Sequence, residues 1–306
     1  MQHTRHVMMI EPVRFAFNAQ TAANNYFQQS ADQEQEAIAE KANKEFQQLV
    51  DVLRQHQIDV TVIPDTTDPH TPDSVFPNNW ISTHEDGSIV LYPMYAPNRR
   101  LERKPHVLEQ LKEKFIISRE IDFSTAEEQN HFLEGTGSMV LDRENRIAYA
   151  CISPRTDAGL LLQFCEKMQY EPFSFHAGDA QQRAIYHTNV MMCIADRYAV
   201  VCMESITDAA GKILLEKKLQ DSGKEIIPIS FEQMNHFAGN MLQVHNSTGE
   251  RFMVMSSQAY HSLDAIQLKR ISQYNPVLHA DITTIETLGG GSARCMIAEI
   301  FLQEKQ

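Results

Sequence analysis

At 306 residues, with 42% hydrophobic and 22% charged residues, the chain has the composition of a globular protein with a sizeable core. Its 27 Lys+Arg against 40 Asp+Glu leave a formal net charge of -13, a sign that repels phosphate backbones, and no Lys/Arg-rich run offers a nucleic-acid surface. No apolar run is long enough to cross a bilayer, the first residues lack a signal peptide's long apolar centre, and the cytoplasm is the expected location.

In chain order, His6 to Pro12 reads as a short apolar strand, followed by a polar stretch rich in Asn and Gln. A helix is predicted from about Ala31 to His56, because Phe46, Leu49, Val50 and Leu53 fall on one helical face. A strand at Val60 to Pro64 and a turn-rich loop, Asp65 to Ser74, complete this part. From here an order of strand, strand, helix, strand recurs. Trp80–Thr83 and Ile89–Pro93 pair across Asp86-Gly87, with a helix at Pro105–Phe115 and a strand at Glu120–Phe123. The next unit has Ser138–Leu141, Ile147–Ile152, a helix Asp157–Met168 capped by Thr156, and Glu171–Phe175. The third has Val190–Ala195, Tyr198–Glu204, a helix Asp208–Leu219 capped by Thr207, and Glu225–Ile229. The fourth has Met241–His245, Phe252–Ser256, a helix Gln258–Ile271 with Ala259, Leu263 and Ile266 on one side, and Val277–Asp281. The two chain ends together make a fifth unit, its first strand being the apolar run Met296 to Phe301.

Five similar units that cannot each bury an apolar face alone are expected to pack about one axis, the chain ends closing the ring. The alternative is an α/β sandwich with mixed sheets. No linker or low-complexity run divides the chain, so residues 1–306 read as one domain.

The segments that open each unit should meet at one end of such a ring. They contain Phe76-Pro77-Asn78-Asn79-Trp80, Leu133-Glu134-Gly135-Thr136-Gly137-Ser138, Tyr186-His187-Thr188-Asn189, Ala238-Gly239-Asn240 and Gly289-Gly290-Gly291-Ser292-Ala293-Arg294-Cys295. A carboxylate, an imidazole and a thiol thus occupy equivalent places, the equipment of covalent nucleophilic catalysis. Arg294, beside Cys295, is expected to favour the thiolate. Cys151, Cys193 and Cys202 lie in apolar runs and Cys165 on a helix, so these four read as core. Neither CxxC nor HExxH occurs, the 13 histidines are dispersed, and neither a metal nor an organic cofactor is expected.

These motifs, in this order over almost the whole chain, resemble the guanidine-modifying (amidinotransferase) superfamily, which includes arginine deiminase, dimethylarginine dimethylaminohydrolase, succinylarginine dihydrolase and glycine amidinotransferase. The resemblance implies a five-bladed α/β propeller of ββαβ modules. It implies a nucleophile at Cys295, a general acid/base at His187 and a partnering carboxylate at Glu134. Arg99 and Arg100 resemble the arginine-bearing loop of the dimethylaminohydrolases, and Arg155 their Ser-Lys-Arg-Thr segment, where such arginines hold the substrate's α-carboxylate. Asn78, Asn79, Asn189, Gly239 and Asn240 complete the expected substrate site.

Two departures bear on the substrate. Asn79 stands where many relatives carry an aspartate, and Thr188-Asn189 where deiminases carry Leu-Asp. A carboxylate only accepts hydrogen bonds, whereas an amide donates as well, which suits a neutral ureido group better than a guanidinium. The expected activity is therefore of the citrulline-utilising type, giving ornithine, ammonia and carbon dioxide. Succinylarginine dihydrolase also resembles this Asn pattern while acting on a guanidine. Arginine hydrolysis, amidino transfer to an amine, and a non-catalytic amino-acid binder are the alternatives. The expected partner is citrulline or an arginine-like amino acid, with homo-oligomerisation left open.

Overall fold

The computed structural model describes residues 1–29 and 34–305. It contains five three-stranded sheets of identical topology. In each, a first strand pairs antiparallel with a second, which pairs parallel with a third. Four are built from consecutive segments: Ile81–Thr83, Ser88–Leu91 and Arg119–Asp122; Val140–Asp142, Ile147–Cys151 and Glu171–Phe175; Met192–Ile194, Tyr198–Val201 and Glu225–Pro228; Leu242–His245, Arg251–Ser256 and Val277–Ala280. The fifth joins the chain ends, with Ala298–Ile300 antiparallel to His6–Glu11 and His6–Glu11 parallel to Asp59–Pro64. A two-stranded ribbon, Gln303–Glu304 on Phe115–Ile116, ties the C-terminal segment to the neighbouring unit.

A parallel pair needs a crossover connection, and here a helix supplies each one. These helices are Gln35–Gln55, Pro105–Lys114, Ala158–Met168, Ala209–Asp221 and Ala265–Ser272. They bury the stripes that their periodicity marks, Phe46, Leu49, Val50 and Leu53 on the first and Leu160, Leu161, Phe164 and Met168 on the third. The second strands Ser88–Leu91, Ile147–Cys151 and Tyr198–Val201 are buried throughout, while the third strands are partly exposed. The first strands are linked in succession by hydrogen bonds. Thr83 donates to the Glu299 carbonyl (3.0 Å) and its own carbonyl accepts from Arg143 (3.5 Å), just past Asp142, and the buried Gln2 amide donates to the carbonyls of Leu141 (3.0 Å) and Ile194 (3.2 Å). Asp196 N–H donates to Gln243 (2.9 Å), while Thr4 joins His245 (3.1 Å) to Ile300 (2.6 Å). Among the described residues, no helix is long and apolar enough to cross a membrane.

Several boundaries differ from expectation. The start of the first helix at Ala31 lies outside the described residues. Ser138 and Val190 do not open strands; they end or lie within single helical turns, Gly135–Ser138 and Thr188–Met191. The caps belong to Asp157 and Asp208 rather than Thr156 and Thr207, because each aspartate accepts a backbone N–H three residues on. The helix expected over Gln258–Ile271 is broken into Ser257–Ser262 and Ala265–Ser272. Asp264 and Gln267 form a capping box that starts the second piece and turns Ile266 outward, to 72% exposure.

Candidate active site

The motif segments form buried single turns at the heads of the units. Pro77–Asn79, Gly135–Ser138 and Thr188–Met191 are each one short helical turn, and Cys295 sits in another, its N–H donating to the Ser292 carbonyl (2.9 Å). Side chains lock these turns together. Ser138 Oγ accepts from Glu134 N–H (2.8 Å) and donates to the Arg155 carbonyl (2.7 Å), and Thr188 Oγ1 donates to the Ser138 carbonyl (2.6 Å). Gly137 permits the closest approach: a Cβ there would lie 2.4 Å from Asn79 Nδ2 and 2.8 Å from His187 Nδ1. Only a residue without a side chain lets that amide and that imidazole converge.

Glu134, His187 and Cys295 are all buried, and His187 and Cys295 line one cavity. Glu134 Oε2 accepts from His187 Nε2 (2.7 Å), and its Oε1 accepts from Tyr95 N–H (2.8 Å). Burial pushes the Glu134 carboxyl up, but the Arg155 guanidinium (3.5 Å) and His187 outweigh it and hold it at about 2. Burial draws His187 down to about 4, against the opposing pull of Glu134. At neutral pH the pair is therefore carboxylate and neutral imidazole. With the Nε2 proton given to Glu134, Nδ1 carries the free lone pair.

Amides surround the sulfur. Cys295 Sγ accepts from Asn240 Nδ2 (3.2 Å) and Asn189 Nδ2 (3.4 Å). Asn240 also donates to the Asn189 carbonyl (2.9 Å) and accepts from Arg294 N–H (3.1 Å), so it braces both turns. The role expected of Arg294 is corrected: its guanidinium donates to the Ile297 carbonyl (2.9 Å) and pairs with Glu299 (2.8 Å), leaving the thiol's polar contacts to amides. Cys151, Cys165, Cys193 and Cys202 are buried free thiols whose pKa values burial raises to about 11 or 12. Gly239 contacts backbone rather than cavity, since a Cβ would lie 2.4 Å from the Val190 carbonyl oxygen.

Around the rest of the cavity, Asn79 Oδ1 accepts from Arg99 Nη1 (2.8 Å) and its Nδ2 has no partner. Arginine can only donate, so it fixes the orientation of that amide. Asn78 donates to Thr136 (3.3 Å), leaving its Oδ1 unpaired, as is Oδ1 of Asn189. Arg99 is buried in a two-pronged pair with Glu102 (2.8 and 2.9 Å). Arg155 lies 4.9 Å from the Tyr186 ring centroid, donates to Asn24 (2.9 Å) and the Thr21 carbonyl (3.0 Å), and also lines the cavity. Arg100 does not join them. Its guanidinium binds the Met94 carbonyl (3.0 Å) and faces Glu127 (3.6 Å), which makes it a brace for the loop rather than a wall of the cavity.

Three contributors escape the sequence reading. Asp73 lines the cavity with Oδ2 accepting from Asn18 (2.7 Å) while Oδ1 is buried and unpaired. Tyr186 donates to the Gly290 carbonyl (2.6 Å). Residues 18–29 lie across the site, with Asn25 donating to the carbonyls of Gly289 (3.3 Å) and Gly290 (3.2 Å) and Gln29 N–H to that of Thr287 (2.7 Å). Their only sequence signal is a run of Asn and Gln. The cavity beneath is about 10 Å³, space for about one water. Among the described residues, one group with metal-ligand geometry, His6, Asp59 and Glu304, shares no residue with this site, and Arg5 pairs with both of its carboxylates.

A family model described as N,N dimethylarginine dimethylhydrolase, eukaryotic, matches residues 11–302. The chain belongs to this family. It is a hydrolase of non-peptide C–N bonds in the amidinotransferase superfamily. Among solved structures, apo ArgZ, described as an arginine dihydrolase of the ornithine–ammonia cycle in cyanobacteria, shares 17% identity at a TM-score of 0.73, over 97% of this chain and 40% of that one. The substrate-bound N-terminal domain of a mutant ArgZ gives 17% and 0.73, over 97% and 98%. A mutant dimethylarginine dimethylaminohydrolase, an adduct with S-methyl-L-thiocitrulline, gives 15% and 0.63, over 98% and 100%. The dimethylhydrolase-family chain thus spans two fifths of full-length ArgZ and shares the fold of its N-terminal domain. No curated protein matches it.

Proposed function

We propose that this protein hydrolyses the ureido carbon of citrulline, releasing ornithine, ammonia and carbon dioxide. The observation that carries the choice is Asn79. Arg99 occupies its oxygen, so its unpaired N–H₂ is a donor beside His187 Nδ1, where a ureido carbonyl needs one. Neutral His187 takes the thiol proton of Cys295, and the thiolate attacks the ureido carbon. The imidazolium, held by Glu134, returns that proton to the departing amine, leaving a thiocarbamate on sulfur. Water, deprotonated by the again neutral His187, adds to the thiocarbamate; the carbon–sulfur bond breaks and the carbamic acid loses carbon dioxide. Asn189 and Asn240 donate to the sulfur whenever it carries charge.

Recognition of the amino-acid end falls to Arg99 and Arg155 for the α-carboxylate and to the unpaired Oδ1 of Asp73 for the α-ammonium. Because the cavity holds only about one water, admitting an amino acid requires it to widen, and residues 18–29, which lie across it, are the segment to move. A second reading is hydrolysis of arginine to citrulline and ammonia by the same residues. The unpaired Oδ1 of Asn189, whose amide reaches Cys295, favours it, since a guanidinium has only donors, while Asn78 lies outside the cavity lining. The likeness to the arginine dihydrolase ArgZ agrees with it. The first strands, joined in succession from Thr83 round to Thr4, support one 306-residue domain closed as a five-bladed propeller.

The test is incubation with citrulline and, separately, arginine, scoring ornithine and ammonia. Ornithine from citrulline alone supports the ureido reading. Citrulline and ammonia from arginine, with citrulline left untouched, rejects it in favour of the second.

A further inference from the structure

Beside the catalytic cavity, on the other side of Tyr186, lies a larger one of about 370 Å³. That is within the range of small-molecule sites, roughly 300–1,000 Å³. Phe27, Tyr186 and Phe237 contribute aromatic surface, with the Phe27 centroid 5.2 Å from that of Phe237 and 6.2 Å from that of Tyr186. Glu286 lines the same cavity. It is 2% exposed, its Oε1 accepts from Ser292 Oγ (2.5 Å), the Ser256 hydroxyl also acts on the carboxyl, and its Oε2 makes no well-formed hydrogen bond. A buried carboxylate oxygen left unmatched costs stability unless something completes it. The other charges at the cavity do not. Arg183 pairs with Asp179 (2.6 Å) and stacks over Tyr26 (3.9 Å), and His236 Nδ1 is bonded to the Glu232 carbonyl (2.8 Å). Glu45 and Asp281 act on Glu286 by repulsion rather than by balancing its charge.

We propose that this cavity is a second binding site, distinct from the catalytic one, for a compact organic cation with a guanidinium or ammonium head that donates to Glu286 Oε2 and rests against the aromatic wall. Carboxylate and ring faces are the two surfaces that such a head prefers. The occupant would reach the nucleophile's turn through one side chain, since Ser292, which donates to Glu286, also accepts the Cys295 N–H (2.9 Å). Burial raises the Glu286 pKa to about 7, and the neighbouring negative charges of Glu45 and Asp281 add to it, so the acid is ionised only as pH rises past neutrality. Cation affinity should rise by about tenfold between pH 6 and pH 8, following the ionised fraction.

The experiment is calorimetric titration of the whole protein with methylguanidinium and, separately, ethylammonium, before and after alkylation of Cys295. The expected result is one Glu286-dependent equivalent for at least one probe, kept after alkylation, tighter at pH 8, and weakened at least tenfold in Glu286→Gln and several-fold in Phe27→Leu. The two probes distinguish a guanidinium from an ammonium ligand, and thermal melts establish that both variants fold. Binding that is equal in wild type and Glu286→Gln, binding lost on alkylation, or no binding of either probe overturns the proposal. Citrulline turnover is scored separately, so failure of the catalytic reading leaves this result intact, and the converse also holds.

Discussion

Replacing Asn79 by aspartate should invert the substrate preference. In the wild type, Asn79 Oδ1 faces Arg99 at 2.8 Å and Nδ2 is an unpaired donor. Asn79→Asp keeps the contact to Arg99 and turns the donor into an acceptor of nearly the same size. A ureido carbonyl then meets an oxygen instead of an N–H, a loss of about 1–3 kcal/mol for an unmatched buried pair. A guanidinium instead gains a charge-assisted hydrogen bond of about 1.5–3 kcal/mol. Together the ratio of kcat/KM for citrulline to that for arginine should fall by roughly 10²–10⁴, since each 1.4 kcal/mol is tenfold. The new carboxylate also raises the pKa of the nearby His187, so both substrates are assayed at pH 8, where the imidazole stays neutral. Ornithine is scored from citrulline, citrulline and ammonia from arginine, with a thermal melt as the folding control. A ratio that moves by less than about threefold in a folded variant would refute the assignment of Asn79 as the ureido donor.

Cys295→Ala should abolish turnover and leave the thermal melt near that of the wild type; residual activity at the wild-type rate would mean that the nucleophile lies elsewhere. Because His187 is held at about 4 in the folded chain, the acid limb of kcat/KM should fall near pH 4, and a limb near 6.5 would contradict the buried pair. The same shift has a stability consequence. Between pH 6.5 and 4 the unfolded chain binds a proton that the folded chain refuses, so stability contributed at neutral pH is lost as pH falls through that window. The loss is about 3 kcal/mol, read as the difference in urea unfolding between wild type and His187→Gln. Glu134, held at about 2, acts lower: its contribution is complete above about 4.5 and fades as pH drops toward 2. Asn25→Ala removes two hydrogen bonds that fasten residues 18–29 to the glycine turn, worth about 1 kcal/mol net, so a more populated open state should lower KM several-fold; an unchanged or raised KM would count against this segment as the closure.

What the sequence discloses is periodicity, and what it conceals is partnership. The third strand Glu171–Phe175 and the apolar stripe of Gln35–Gln55 are legible because each local pattern agrees with its final environment. The single turns at Gly135–Ser138 and Thr188–Met191 are not, because Gly, Thr and Ser have weak helical preference and are held by contacts from afar. Thr188, for example, accepts from Cys151 N–H (2.8 Å) while donating to Ser138. The long helix drawn through Gln258–Ile271 failed for a local reason that was available: Asp264 followed by Gln267 is a start signal in mid-helix. Arg99 and Arg100 share one loop of the family resemblance, which does not say which of the two faces the cavity. Neighbours on a helical turn point about 100° apart, so one arginine enters the cavity while the other turns to Glu127.

Asp73 illustrates the harder case, since its loop reads as turn-rich surface and its partners are Asn18 and Thr21, more than fifty residues earlier. The two contacts belong to one arrangement. In the closed protein, the side chain of Asn18 donates to Asp73, while the Thr21 carbonyl and Asn24 accept from Arg155. On the proposed reading, an amide donor on the other oxygen of Asp73 and two amide-type acceptors on Arg155 thus stand beside the places of the amino acid's ammonium and carboxylate. Under the proposed function, residues 18–24 would imitate the charged end of the substrate in neutral form. Exchange of these neutral partners for ionic ones adds an opposite charge to bonds that already have one ionised end, a Coulombic gain in a buried site. If the proposed amino-acid site holds, a ligand lacking either charge would not supply that difference, so a free amino acid should be preferred over a peptide or an amide.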